Sequence, residues 1–159
     1  MGPDREKLAE HGAGSISLDS RLLEKVDAAF GCAAERAAEV FRATDAEADI
    51  GESFEAALRV VLDAAAADPD LTRLCLLEAP GLGATALQRK DAGLQRFVDL
   101  LDRELARRQG GQAPPLVSEM VVGGIYEVVQ RAVRAGDTAA LPELADQLRQ
   151  LWLPALRSH

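Results

Sequence analysis

Few residues in this chain have the type and spacing to do chemistry. Glu78 closes the run Leu74-Cys75-Leu76-Leu77 and could reach a pocket as a hydrogen-bond acceptor or a general base. The alternative is a solvated carboxylate at a loop. Cys75 reads as a small core residue, because the reactive form of cysteine is the thiolate and apolar surroundings oppose it. Cys32 follows Gly31 on a helix with no histidine near it in sequence, and reads the same way. His11 lies in a glycine-rich lead-in and His159 is the last residue. Two cysteines and two histidines cannot supply a clustered four-ligand zinc site. Gly81 and Gly83 make a turn rather than a phosphate loop, since no strand precedes them and no Gly-Lys-Ser/Thr follows. No nucleophile–base pair is legible, so the residues point to binding without turnover and to no cofactor.

Tyr126 is the one aromatic with a polar handle outside the single Trp. Its hydroxyl needs a partner if buried. It either lines a ligand cavity or caps a subunit interface. The bases Arg89, Lys90, Arg96, Arg103, Arg107 and Arg108 alternate with Asp91, Asp99, Asp102 and Glu104, the pattern of a solvated helix face with local ion pairs.

The elements that must position these groups are helices. Apolar residues are 48% of the 159, enough for one domain with a continuous core. Ala, Leu, Glu, Arg and Gln dominate, and no stretch alternates as a half-buried strand does. The net charge of −8 is concentrated over residues 19–70, with 13 acids and 5 bases. That is the wrong sign for a phosphate-binding surface, and aromatics at 4% are too few for base stacking. No apolar run approaches the roughly 20 residues of a membrane span. No secretory leader is apparent, so the expected location is cytoplasmic.

Residues 1–18 read as a flexible lead-in broken by Gly12 and Gly14, and residues 19–159 as one helical domain. A first long helix is expected from Asp19 or Ser20 to Thr44, and a second over Phe54 to Ala65. Asp68-Pro69 starts a short third helix that runs to Glu78. A fourth spans Ala84 to Gln109 and ends at Gly110-Gly111. The fifth, Val117 to Ala135, is apolar nearly all round and must be buried on more than one side. The last begins at Asp137 or Thr138, with Pro142 in its opening turn.

The stretches Asp68-Pro69-Asp70-Leu71-Thr72-Arg73-Leu74-Cys75-Leu76-Leu77-Glu78, Val122-Gly123-Gly124-Ile125-Tyr126-Glu127-Val128-Val129, and Ala135-Gly136-Asp137 with Leu141-Pro142-Glu143-Leu144 occur in an order that resembles the ligand-binding and dimerisation domain of the TetR/AcrR family of transcription regulators. The resemblance covers roughly residues 19–156. It implies an all-α, about six-helix orthogonal bundle that pairs through its last two helices. It also implies a small, mostly apolar effector whose binding shifts the first helix. The family's DNA-reading head, roughly 45–50 residues with a helix-turn-helix, has no counterpart here. This chain alone is therefore not expected to bind DNA. An alternative is a head-less helical interaction protein that forms dimers with an intact regulator.

The expected pocket comprises Phe30, Ala34, Phe54, Leu58, Val61, Cys75, Leu94, Phe97, Met120 and Gly124, with Glu78 or Tyr126 as polar anchor. Gly124 would leave the room. The expected homodimer face comprises Met120, Val121, Ile125, Val128, Leu148 and Trp152.

Overall fold

The computed structural model describes the backbone of residues 4–112 and 115–157, and side chains within those ranges from residue 19 onward. Its described residues are 89% helical and contain no strand. Six α-helices follow one another: α1 (Asp4–Ala43), α2 (Ile50–Ala67), α3 (Pro69–Arg73), α4 (Ala84–Gln109), α5 (Val117–Ala135) and α6 (Leu144–Arg157). The fold is an all-α helical bundle.

Local chemistry sets most boundaries. Asp49 caps α2, its Oδ1 accepting from the Glu52 N–H at 3.1 Å. Asp68 caps α3 in the same way, accepting from the Leu71 N–H at 3.0 Å, with Pro69 in the first turn where its missing N–H costs nothing. Gly110 ends α4 and Gly136 ends α5, both in the left-handed region at φ 66° and 88°. After Gly136 the Asp137 N–H returns to the Ala132 carbonyl at 2.9 Å, closing the helix end.

Three boundaries depart from the sequence expectation. The first helix begins at Asp4 rather than Asp19, and Gly12 and Gly14 do not interrupt its backbone. Glycine disfavours a helix by about 1 kcal/mol but does not forbid one. The third helix is α-helical only to Arg73; a π-helical turn, Leu74–Glu78, and a 3-10 turn, Ala79–Leu82, complete it. The last helix is preceded by a 3-10 segment, Thr138–Glu143, which contains Pro142. His159 and Pro114 lie outside the described residues.

α1 packs on α2 and α4, α2 also packs on α6 and the 3-10 segment before it, and α5 bridges α4 and α6. The main core joins Val26 and Phe30 of α1 to Leu58 and Leu62 of α2, Leu101 and Leu105 of α4, and Val121 and Val129 of α5. A smaller cluster of Ala37, Phe41, Ala57 and Leu100 closes the other end of α1.

Two polar clamps tie α1 to α4. At one end Arg89 pairs with Asp27, and Arg96 Nη1 donates to the Asp27 carbonyl at 3.1 Å. At the other, Glu104 is 4% exposed and takes both Arg107 and Arg108, at 2.7 and 2.5 Å. Arg107 Nη2 also donates to the Thr44 carbonyl at 3.1 Å, satisfying the orphan end of α1. Arg108 donates to Ser53 Oγ at 3.0 Å and to the Ala48 carbonyl. The expected solvated basic face is thus partly an interior charge network, because α4's last turns meet the α1–α2 link.

Candidate functional site

Between α1, α2, the turns after α3, α4 and α5 lies a cavity of about 460 Å³. Small residues create it. Ala29, Ala33 and Ala37 recur every four residues on α1, and Ala57, Ala64 and Ala65 stand on α2, all at the cavity wall. Larger side chains at such facing positions would interdigitate and fill the gap. Phe30 is held at the wall by a close approach: a Cβ at Gly93 of α4 would lie 2.6 Å from its ring.

Eight of the twelve expected pocket residues line this cavity: Phe30, Phe54, Leu58, Val61, Cys75, Leu94, Phe97 and Tyr126. Four do not. Glu78 is exposed and pairs with Arg73 at 3.3 Å on the surface. Ala34 is partly buried on α1 but is not among the residues that line the cavity. Met120 is 62% exposed. Gly124 makes room for a side chain rather than for a ligand: a Cβ there would lie 2.5 Å from the Trp152 ring of α6.

The expected dimer face is likewise divided. Val121 and Leu148 are buried in the chain's own core, because α5 and α6 turn these stripes inward. Ile125 lines the cavity. Val128 and Trp152 are partly buried against the same core. What α5 and α6 leave outside is Met120 and Leu151, both more than 60% exposed, with Leu116 just before α5.

Polar groups at the cavity are few. Thr72 is buried, but its hydroxyl already donates to the Ala65 carbonyl at 2.8 Å. Cys75 is buried; desolvation, with a further push from the Asp68 charge, raises its thiol to about 11. It is therefore no nucleophile near neutral pH. Burial likewise pushes the Tyr126 phenol above its ordinary value, so it stays protonated. Lys90 Nζ lies 5.5 Å from the centre of the Tyr126 ring. Gln130 Nε2 reaches both the Tyr126 hydroxyl, at 3.3 Å, and the Leu76 carbonyl, at 2.9 Å.

Sequence reasoning missed the π-helical turn and the alanine faces. Both had signals. Pro80 stands four residues after Leu76, and a proline clashes with the carbonyl at that position. Alanine at every fourth position of an otherwise Leu- and Phe-bearing stripe marks a wall that does not fill. Among the described residues no group of three or more His, Cys, Asp or Glu could hold a metal ion, and no helix is long and apolar enough to cross a membrane. No protein-family model matches the chain, and neither a curated protein nor a solved structure matches it.

Proposed function

We propose that this chain is a TetR-like effector-sensing and dimerisation domain that takes up a small, mostly apolar molecule. The observation that carries the reading is the cavity of about 460 Å³, walled by Phe30, Phe54, Leu58, Leu94 and Phe97. That volume falls within the roughly 300–1,000 Å³ of small-molecule sites, which are mostly apolar with a few polar groups. The raised thiol leaves Cys75 suited to packing against a ligand rather than attacking one.

In this reading occupation is felt by α1, whose Phe30 and alanine stripe form one wall. Two copies associate through the apolar groups that α5 and α6 leave outside, Met120 and Leu151, with Leu116 beside them. The test is thermal denaturation of the purified chain against a panel of uncharged lipophilic compounds, run beside the variant Ala33→Phe. A rise in melting temperature with the parent chain, lost when the bulky side chain fills the cavity, supports the reading. No compound raising it would refute it. Light scattering from micromolar to nanomolar concentration tests the dimer; a folded monomer at micromolar concentration would exclude it.

A further inference from the structure

Gln130 fixes the direction of the hydrogen bond at Tyr126. Its amide is oriented at both ends. Nε2 donates at 2.9 Å to the Leu76 carbonyl, which can only accept. Oε1 accepts at 3.1 Å from Arg134 Nη2, which can only donate. The group that meets the Tyr126 hydroxyl at 3.3 Å is therefore the nitrogen, and the hydroxyl accepts. Tyr126 keeps its own proton for another acceptor, and among the described residues Gln130 is the hydroxyl's hydrogen-bond partner.

Tyr126 borders a mostly apolar cavity. Val122, Ile125 and Val129 flank Tyr126 on α5, and Leu76 and Phe97 belong to the same wall. Thr72 has already spent its hydroxyl proton on Ala65. Arg36 and Asp68, which also border the cavity, are exposed to water. Lys90 Nζ lies 5.5 Å from the centre of the Tyr126 ring. Lys90 itself is neutralised by Asp91 at 2.8 Å, so it adds no free charge for an anion.

We infer that the Tyr126 hydroxyl is the anchor of the cavity, donating to the carbonyl oxygen of an uncharged ligand with an apolar body, of the ketone, ester or lactone class. This rests on the ligand-binding reading above and adds the ligand's polar chemistry to it. A hydrocarbon of the same length leaves the donor unmatched, and an alkylammonium presents a donor and a charge to an apolar wall.

Calorimetric titration of the purified chain with 2-nonanone, nonane and nonylamine tests it, with melting curves to confirm that each variant is folded. The ketone should bind about fivefold to tenfold more tightly than the alkane, the worth of one net hydrogen bond. The amine should bind no better than the alkane. Tyr126→Phe should remove the ketone's advantage and leave the alkane's affinity. Gln130→Glu places an acceptor against the hydroxyl, captures its proton and should remove the advantage too. Equal binding of ketone and alkane by the unmodified chain, or a ketone preference that survives Tyr126→Phe, overturns the inference and leaves the cavity reading standing. Failure of all three probes to bind overturns both. The comparison on the unmodified chain decides the matter even where a variant fails to fold.

Discussion

The carbonyl of Leu76 accepts its hydrogen bond from the side chain of Gln130, 54 positions further along the chain, at 2.9 Å. In an unbroken α-helix that carbonyl would take the N–H of residue 80, but residue 80 is proline and has none. The helix widens into the π-helical turn Leu74–Glu78, and α5 supplies the missing donor from outside. A buried carbonyl left without a donor would be costly, so one side chain on α5 stabilises the irregular turn packed beside it.

Gln130→Leu removes that donor and keeps the volume. The Leu76 carbonyl loses this donor, and the chain should lose about 0.5–1.5 kcal/mol of stability, the worth of one net hydrogen bond. Urea denaturation measures it. A loss of only a few tenths would mean that the turn holds itself.

Glu104 is buried between Arg107 and Arg108. Removing the carboxylate strands the buried Arg108, whereas Arg107 is 40% exposed and water screens it, so Glu104→Gln should cost about 3 kcal/mol. The same change at exposed Glu35, which pairs with exposed Arg42, should leave stability nearly unchanged. Chemical denaturation of the two variants side by side gives the contrast.

Neighbouring glycines on α5 should respond in opposite directions to alanine. At Gly123 a Cβ meets nothing within 4 Å, so Gly123→Ala should stabilise the chain by about 0.5–1 kcal/mol through helix propensity. At Gly124 the added carbon collides with Trp152 and should displace it, outweighing that gain. Melting temperatures measure both, and the fluorescence of Trp152, the single tryptophan, should change in the second variant alone. Equal stabilisation of the two would contradict the packing described.

The two cysteines should differ in reactivity. Cys32 is exposed, whereas Cys75 is buried with its thiol at about 11. Brief treatment with a thiol reagent at neutral pH should add one label, at Cys32, and a second only after denaturation. Peptide mass spectrometry locates the labels. Rapid labelling of both in the folded chain would mean that the cavity wall opens freely.

Asp49 caps α2 and accepts from Arg157, and these contacts hold its carboxyl below the usual carboxylate range. A depressed folded value stabilises the fold above the unfolded value of about 3.9, and that contribution is lost as pH falls through the folded one. Asp49→Asn keeps the cap without the titrating charge. The stability difference between the two proteins should therefore be largest near pH 7 and shrink below pH 4.

The regular helices were legible because their signals are local. α4 and α5 fall where Gly110, Gly136 and the apolar periods place them, and Asp68-Pro69 starts α3 as its chemistry dictates. The face of a residue within a helix was less so. Gly124 reads equally as space for a ligand or space for Trp152, and only the approach of α6 decides between them. Glu104 reads as solvated from its charged neighbours, and becomes interior because the α1–α2 link folds over it. The π-helical turn depends on Pro80 and on a donor 54 residues away, a relation that no local window contains.

The two polar clamps have a mechanical consequence for the cavity. α1 and α4 behave like a beam held at both supports, Asp27 at one end and the Phe41–Thr44 turn at the other, about 20–25 Å apart at 1.5 Å per residue. Deflecting that side would break the Arg89–Asp27 pair and the Arg107 bond to the Thr44 carbonyl. The π-helical and 3-10 turns over Leu74–Leu82 pack on α4, α1 and α5 and receive a neutral side-chain hydrogen bond from Gln130. Their irregular backbone makes them the more compliant part of the wall. As guests lengthen, amide exchange should quicken first over residues 74–82 while α1 beside Phe30 keeps its protection; the reverse order would show that the stiff side is the one that yields.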